Sequence, residues 1–194
     1  HPTPCQTETI PPAMKGQDLV VQSRTGTGKT AAFGIPLVEK VDLAIKGVQG
    51  VVLAPTRELA VQVAEELGDI GKGRGVRVAA IYGGDSMERQ NDLLESGVQL
   101  IAGTPGRVLD LMRRKELGLE RVRIVVLDEV DRMLDIGFRD DIRRILRAIE
   151  HPHQTIFVSA TLDEEIQKLA RTFMTDPVDV NVSRDMLTVE NVMQ

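Results

Sequence analysis

The feature that most constrains the fold is an alternation of short β-branched runs with longer amphipathic segments along the whole chain. Several of these runs are apolar throughout, such as Val125-Val126-Leu127, which is typical of parallel strands covered on both faces. The predicted strands lie at residues 18–22, 50–54, 77–81, 99–102, 124–127, 155–158 and 178–182. Strands that alternate with helices imply right-handed βαβ crossovers. The pattern therefore predicts an α/β three-layer sandwich with a mainly parallel sheet of about seven strands.

The intervening segments have the spacing of amphipathic helices. Apolar residues recur at i, i+3, i+4 and i+7 within 59–67, 142–149 and 166–173. Asp85 followed by Glu88 resembles a capping box, so we expect a helix to open there. Each predicted helix follows a predicted strand, as the sandwich requires.

The most informative motif lies between the first predicted strand and the next helix, and reads Ser23-Arg24-Thr25-Gly26-Thr27-Gly28-Lys29-Thr30. Glycines let the backbone wrap an anion closely, and a helix N-terminus offers unpaired N–H groups with a partial positive charge. Lys29 is placed to reach the β- and γ-phosphates, and the Thr30 hydroxyl is a ligand for Mg²⁺. Ser23 stands where the strict phosphate-loop pattern has Gly, and its small side chain still permits the turn.

An ATPase site also needs an acidic residue at the end of a buried strand. Asp128-Glu129 supplies it, directly after the apolar run Ile124-Val125-Val126-Leu127. We expect Asp128 to hold Mg²⁺, partly through water, and Glu129 to polarise or deprotonate the attacking water. The Asp-Glu pair is a weak signal alone, and it gains weight from the phosphate loop that precedes it along the chain.

Composition restricts how nucleic acid could be held. The net charge is −5 and aromatic residues make up 3% of the chain, with no Trp, so a broad basic patch and a platform for stacking bases are both disfavoured. Nucleic acid would have to be held by backbone amides, helix N-termini and a few Arg side chains. Contacts of this kind bind the sugar–phosphate backbone and discriminate little between base sequences.

The cellular setting follows from simple counts. The single cysteine, Cys5, has no partner within the chain for a disulfide. No apolar run approaches the roughly 20 residues that cross a bilayer, and the first residues lack the charged and apolar regions of a signal peptide. We therefore expect a cytoplasmic protein without a membrane partner.

Seven segments in the same order resemble the motifs of the DEAD-box RNA helicases, nearly end to end. They are Pro2-Thr3-Pro4-Cys5-Gln6, Ser23–Thr30, Pro55-Thr56-Arg57-Glu58-Leu59-Ala60, Gly83-Gly84, Thr104-Pro105-Gly106-Arg107, Asp128-Glu129-Val130-Asp131 and Ser159-Ala160-Thr161. The resemblance implies a RecA-like P-loop NTPase fold, with ATP and Mg²⁺ as cofactors and RNA as partner. It also implies that this chain is the first of two RecA-like domains.

The resemblance implies a role for each motif. Gln6 would read adenine, for which an amide side chain is chemically suited. Catalysis would use Lys29, Asp128, Glu129, Asp131, Ser159 and Thr161, with Asp131 tying the acidic motif to Ser159 and Thr161. RNA would be contacted by Pro55, Thr56, Arg57, Gly83, Gly84, Thr104, Pro105, Gly106 and Arg107. Pro55 and Pro105 are expected at the starts of helices, which leaves N–H groups free to face phosphates.

The chain departs from the family pattern at three points. Val130 stands where the family has Ala in Asp-Glu-Ala-Asp. The family's adenine-stacking aromatic residue would lie before the first residue, which predicts weaker nucleotide affinity. Nothing after Thr161 resembles the second-domain motifs with their arginine finger. We therefore expect residues 1–184 to form the first RecA-like domain, residues 185–194 to begin a linker, and the isolated domain to be a monomer that hydrolyses ATP feebly.

The leading interpretation is an RNA-dependent ATPase domain whose parent separates short RNA duplexes. One alternative is a P-loop ATPase of another class, such as a DNA translocase, which would share Lys29 and Asp128 but would not need the Pro-Thr-Pro-x-Gln segment. Another is a non-catalytic clamp that uses ATP as a lock on RNA or a protein. The presence of Glu129 argues against the clamp, because a pure lock could dispense with a water-activating group.

Overall fold

The structure, a computed structural model, describes residues 1–182. The predicted linker at 185–194 lies outside the described residues. The strands are β1 Leu19–Gln22, β2 Gly50–Leu53, β3 Val78–Ile81, β4 Leu100–Gly103, β5 Ile124–Asp128, β6 Gln154–Ser159 and β7 Val178–Asn181. The helices are α1 Pro4–Met14, α2 Lys29–Glu39, α3 Arg57–Gly71, α4 Met87–Glu95, α5 Pro105–Arg113, α6 Val130–Ile136, α7 Arg139–Arg147 and α8 Glu164–Phe173, with a 3₁₀ turn at Lys72–Arg74.

Within residues 1–182 the strands form one seven-stranded sheet in the order β3-β4-β2-β5-β6-β1-β7, and every neighbouring pair is parallel. The parallel α/β sandwich expected from the strand–helix alternation is therefore confirmed. Because the strands are parallel, all of their carboxyl ends meet at one edge. The registers Val126↔Ile156 and Val21↔Val158 align β5, β6 and β1 as consecutive neighbours at that edge.

Side chains of alternating strand residues pack into two hydrophobic cores, one on each face of the sheet. In β5, Val125 and Leu127 face one core while Ile124 and Val126 face the other. The first core is completed by α5, α6, α7 and α8, and the second by α1, α2 and α3. Because both faces are covered, β2 and the first four residues of β5 carry no polar side chains. Burial of one such side chain stabilises the fold by about 1.5–3 kcal/mol.

Two helix starts differ from the sequence expectation. Pro55 was expected to open a helix, but α3 begins at Arg57 with Thr56 as N-cap, whose hydroxyl accepts from the Leu59 N–H at 3.2 Å. Asp85 was expected to cap α4, but Ser86 is the cap and the Asp85 carboxylate instead accepts from the Ser86 N–H at 2.8 Å. Asp and Ser are both good caps, and the turn geometry at one residue decides between Asp85 and Ser86.

Among residues 1–182, none of the helices combines the length and the apolar character that crossing a bilayer requires.

Candidate functional site

The sheet order divides the predicted motifs between two halves of the carboxyl edge. The phosphate loop follows β1, the Ser-Ala-Thr motif overlaps the end of β6, and the acidic motif overlaps the end of β5; these three strands are consecutive neighbours. Three more of the seven predicted motifs follow β2, β4 and β3, which are also consecutive, and the seventh, Pro2–Gln6, leads into α1. Open parallel sheets bind ligands at this edge. The fold therefore brings the predicted residues into two adjacent groups.

The phosphate loop is held by its own side chains. Gly26 and Gly28 both have φ of +78°, a left-handed conformation that favours glycine. The Ser23 and Thr27 hydroxyls lie 2.5 Å apart, and Thr27 donates to the Arg24 carbonyl at 2.9 Å. Ser23 is buried, so the residue that replaces the first Gly of the pattern braces the loop from inside.

The N-terminal segment clamps the phosphate loop from one side. The Thr3 hydroxyl donates to the Thr27 carbonyl at 2.8 Å, and Gln6 Nε2 donates to the Gly28 carbonyl at 3.3 Å. Thr3 and Gln6 also form a capping box that opens α1, with Pro4 at its first position. A Cβ atom at Gly28 would lie 2.6 Å from Gln6 Nε2, so this approach requires glycine. The Gln6 amide retains one N–H and one lone pair for a ligand.

Lys29, the first residue of α2, reaches across the edge to the end of β5. Its Nζ lies 2.9 Å from Asp128 Oδ1 and 3.3 Å from Glu129 Oε1. Lys29 is largely buried and Asp128 is completely buried, whereas Glu129 is partly exposed. Thr30 follows Lys29 and is also buried. The phosphate loop and the strand-end carboxylates therefore share one pocket.

Burial and charge act against each other in this pocket. Burial of the Lys29 ammonium lowers its pKa, but the attraction of Asp128 and Glu129 is larger in sum, so the pKa of Lys29 is raised above its ordinary value. Burial of Asp128 raises the pKa of its carboxyl, and the nearby Lys29 only partly opposes this. A site with these properties favours groups that bring positive charge to Asp128.

The loop after β5 contains an unusual backbone conformation. Glu129 has φ +53° and ψ +55°, a left-handed conformation that is uncommon for a residue with a Cβ. This turn directs the chain from β5 into α6. Such a residue costs on the order of 1 kcal/mol or more and persists where the surroundings hold it. The conformation places the Glu129 carboxylate beside the Lys29 ammonium.

Asp131 joins the acidic motif to the end of β6. Its Oδ2 accepts from both the N–H and the hydroxyl of Thr161, each at 3.1 Å. The Ser159 hydroxyl accepts from the Asp131 N–H at 3.2 Å. The predicted contacts of Asp131 with Ser159 and Thr161 are thus present.

These groups border a cavity of about 310 Å³. Its lining residues are Ser23, Thr25, Lys29, Glu129, Asp131, Arg132, Asp135, Ser159 and Ala160. Arg132 and Asp135 were not anticipated from the sequence. They occupy the exposed face of α6, and Arg132 Nη1 lies 3.4 Å from Glu129 Oε2. The signal available in the sequence was the i+3 spacing of Arg132 from Glu129 and the i+4 spacing of Asp135 from Asp131, both of which place helical side chains on the same side.

The pocket fits a divalent cation such as Mg²⁺. Within the described residues, Oδ1 of the buried Asp128 carboxylate is paired with the Lys29 ammonium at 2.9 Å, whereas Oδ2 is buried without a side-chain or backbone donor at hydrogen-bond geometry. A buried carboxylate oxygen without a donor is costly unless a cation or water satisfies it. Thr30 adds a hydroxyl close in sequence to Lys29, and oxygen ligands of this kind suit Mg²⁺.

The second group of predicted residues lies at the end of β2, β4 and β3. Arg57 is exposed at the start of α3, and its guanidinium carbon lies 4.9 Å from the ring centroid of Tyr82. Both terminal nitrogens of Arg107 lie 3.4 Å from the Asp85 carbonyl. Gly83 and Gly84 are exposed in the turn between these two Arg side chains.

The start of α5 belongs to the same surface. Thr104 is its N-cap and makes no side-chain cap, and Pro105 is its first residue, as expected. Pro55 and Pro105 are buried, Thr56 and Thr104 are half-buried, and Gly106 is exposed. This half of the edge therefore offers an uncapped helix N-terminus beside two guanidinium groups.

The chain is similar in sequence to a known protein family and to several of its members. The chain matches the DEAD/DEAH box helicase family over residues 3–169. It is 50% identical over 192 residues to the DEAD-box ATP-dependent RNA helicase CshA of Bacillus cereus, covering 99% of this chain and 37% of that relative. It is 49% identical to CshA of Geobacillus kaustophilus, covering 99% of this chain and 41% of the relative.

Solved structures agree with this fold. A DEAD box protein from the hyperthermophile Methanococcus jannaschii superposes with a TM-score of 0.90 at 39% identity, over 94% of this chain and 50% of that one. A hypothetical ATP-dependent RNA helicase from Sulfolobus tokodaii gives a TM-score of 0.87 at 37% identity, over 94% and 53%. The expected RecA-like fold is confirmed. The chain spans well under half of the length of the curated relatives and about half of these solved chains.

Proposed function

The chain belongs to the DEAD/DEAH box helicase family, and we propose that it is the ATP-binding domain of an RNA-dependent ATPase that separates short RNA duplexes locally. The observation that carries this proposal is the single pocket shared by the phosphate loop and the strand-end acids, with Lys29 Nζ 2.9 Å from Asp128 and 3.3 Å from Glu129. A P-loop ATPase needs these two elements on one nucleotide.

In this proposal the phosphates bind in the loop from Ser23 to Thr30. Binding of the β- and γ-phosphates draws Lys29 away from its two carboxylate partners. The N-terminus of α2 contributes N–H groups and a partial positive charge. Gln6, already anchored to the Gly28 carbonyl, uses its remaining N–H and lone pair on the adenine edge. Binding of nucleotide to the phosphate loop is thereby coupled to α1, which contains Gln6.

Hydrolysis needs a base, an ordered water and charge neutralisation. Asp128 and Thr30 are the proposed holders of Mg²⁺, which supplies charge neutralisation on the phosphate oxygens when it is bound with ATP. Glu129 is the proposed base, because its carboxylate is partly exposed to the cavity while its backbone is held in an uncommon conformation. Asp131, Ser159 and Thr161 link the ends of β5 and β6 and are proposed to couple the nucleotide state to RNA.

RNA is proposed to lie along the ends of β2, β4 and β3. Arg57 and Arg107 contribute guanidinium groups to phosphate oxygens. Pro105 has no N–H and the Thr104 N–H donates to the Ile81 carbonyl, so the start of α5 contributes the backbone N–H groups of Gly106 and Arg107. Gly83 with Gly84 allows close approach of the sugar–phosphate chain. Pro55 and Thr56 set the direction of α3. Contacts of this kind carry little sequence information.

A second RecA-like domain of the parent protein is proposed to complete the site, and residues 1–184 are the proposed extent of the first. An arginine contribution from a partner domain is worth about 10³–10⁵ in rate in related phosphoryl-transfer systems. This chain alone is therefore proposed to hydrolyse ATP feebly. RNA-stimulated turnover by the isolated chain close to that of a complete enzyme would contradict this division of labour.

The test of the proposed function is ATP hydrolysis by the full-length protein with no nucleic acid, with RNA, or with DNA of the same sequence. We expect hydrolysis to be strongly stimulated by RNA and little affected by DNA. A clear preference for DNA would replace the RNA assignment with a DNA translocase. ATP binding without turnover under all three conditions would favour the clamp.

A further inference from the structure

Tyr82 lies under an Arg side chain of the proposed RNA surface. The guanidinium carbon of Arg57 is 4.9 Å from the centroid of the Tyr82 ring. Tyr82 follows β3 directly and is half-buried, whereas Arg57 is exposed. The two residues come from different strand–helix units, and the adjacent order of β3, β4 and β2 brings them together. An attraction between a guanidinium and an aromatic face operates at this distance.

The backbone of Tyr82 is held by a hydrogen bond from a buried side chain. Its carbonyl accepts from Nε2 of Gln90 at 2.8 Å, and Gln90 is a completely buried residue of α4. Three residues later, the Asp85 carbonyl accepts from both terminal nitrogens of Arg107 at 3.4 Å. The turn from Tyr82 to Asp85 therefore contacts both Arg side chains, one through a ring and one through a carbonyl.

The two contacts have different consequences for a phosphate ligand. A carbonyl uses the N–H groups of Arg107, which must exchange partners to bind phosphate. An aromatic ring stacks on the face of the guanidinium and leaves its N–H fork free in the plane. A carboxylate partner would instead compete directly with phosphate. In a chain of net charge −5, a neutral aromatic partner orients Arg57 without reducing its attraction for RNA.

We propose that Tyr82 is a positioning residue that holds the Arg57 guanidinium ready for an RNA phosphate. The inference rests on the proposed function, because it assumes that Arg57 faces RNA. A free Arg side chain loses much rotamer freedom when it is immobilised by a ligand, and a side chain that is already ordered loses less. Tyr82 therefore acts on RNA affinity through Arg57 and makes no contribution to nucleotide chemistry.

The experiment measures binding of a labelled single-stranded oligouridylate to the full-length protein, and RNA-stimulated ATP hydrolysis in parallel. Four variants are compared, namely Tyr82→Leu, Tyr82→Phe, Arg57→Ala and the double variant Tyr82→Leu/Arg57→Ala. We expect Tyr82→Leu to weaken RNA binding and raise the KM for RNA by about two- to fivefold, with kcat unchanged. Tyr82→Phe keeps the aromatic face and should retain the original affinity. The double variant should be no weaker than Arg57→Ala alone.

Each outcome separates the inference from the proposed function. If Arg57→Ala leaves RNA binding unchanged, the proposed RNA surface is wrong and the positioning role falls with it. If Arg57→Ala weakens binding while Tyr82→Leu does not, or if the two effects add in the double variant, only the positioning role is wrong. Should Tyr82→Leu fail to fold, Tyr82→Met fills a similar space without an aromatic face, and retention of full RNA affinity by that folded variant would overturn the proposal.

Discussion

Replacement of Lys29 by Met tests the ionic pocket on which the proposed nucleotide site depends. Lys29 is the positive partner of the completely buried Asp128, at 2.9 Å, and it also contacts Glu129. Met removes the charge and keeps most of the volume of the side chain. Glu129 is partly exposed and retains Arg132 at 3.4 Å, so its charge stays solvated and paired. The stability change therefore reports mainly on Asp128.

At each pH, the free energy of unfolding that Lys29→Met can remove has an upper limit. An ionised carboxylate left unpaired in the interior costs about 3–5 kcal/mol. The protein avoids that cost by protonating Asp128, and at pH 7 protonation of a carboxyl with an ordinary pKa near 3.9 costs about 4 kcal/mol. Because the pKa of Asp128 is already raised in the original chain, that chain already bears part of this cost, and we expect Lys29→Met to lower the free energy of unfolding by about 1–3 kcal/mol at pH 7. Because typical stabilities are about 5–15 kcal/mol, this is a large fraction.

The sign of the pH dependence follows from the pKa of Asp128. Burial already raises it above its ordinary value, and loss of Lys29 raises it further. Between the ordinary and the raised pKa, the folded state binds one more proton than the unfolded state. Stability therefore falls as the pH increases, by about 1.4 kcal/mol per pH unit at most. The pKa of Lys29 in the original chain is raised above its ordinary value, so Lys29 stays protonated throughout the pH range of the unfolding assay described below.

The assay is urea unfolding of the chain and its variants at a series of pH values from about 5 to about 8. The matched control is Lys29→Met/Asp128→Asn, which removes the titrating group as well and should regain most of the stability at pH 7. If Lys29→Met lost less than about 1 kcal/mol at pH 7 and showed no steeper pH dependence than the original chain, the buried-pair reasoning would be refuted.

Three further changes test other parts of the site. Glu129→Gln in the full-length protein should abolish ATP turnover and leave binding of a labelled ATP analogue intact; unchanged turnover would remove Glu129 from the role of base. Gly28→Ala should weaken nucleotide binding and destabilise the fold by about 1–3 kcal/mol, because a Cβ would lie 2.6 Å from Gln6 Nε2 at a φ of +78°; Gly68→Ala in α3, where a Cβ meets nothing within 4 Å, is the control. Val130→Ala removes a completely buried side chain and should cost about 1–3 kcal/mol in thermal or urea unfolding with ATP turnover retained; a loss of turnover at full stability would assign Val130 a part in coupling.

The fold could be predicted well because its main signals are local. The apolar run at Val125-Val126-Leu127 marked a strand covered on both faces, and β5 is such a strand, with its residues divided between two cores. Each predicted strand matches an observed one to within about one residue at its ends. The order of the strands is not a local property, since each crossover can place its next strand at several positions. The sequence therefore indicated the parts of the sheet and not the neighbours of β5.

The candidate site was predictable where a motif marks it and less so elsewhere. The placement of Lys29 and Asp128 in one pocket followed from two separate motifs, each interpretable from its chemistry, whereas their direct ion pair was not predicted. Arg132 and Tyr82 carry no motif of their own, and their proximity to Glu129 and Arg57 depends on helix facing and on strand order. The capping box of Thr3 and Gln6 was not predicted either, although its Thr-x-x-Gln spacing is present in the sequence.

The two halves of the carboxyl edge differ in burial, and the difference matches what each is proposed to hold. In the nucleotide half, Lys29, Thr30 and Asp128 are buried, so charges there interact strongly and a small, highly charged ligand is bound by desolvated groups. In the RNA half, Arg57 and Gly106 are exposed, and interactions with a long phosphate backbone are screened by salt. Strands β2 and β5 are direct neighbours at the junction of the halves. Nucleotide affinity should therefore depend weakly on salt concentration, whereas RNA affinity should fall steeply as the salt concentration rises. Both halves belong to the same rigid sheet, so the two ligands bind at a fixed separation.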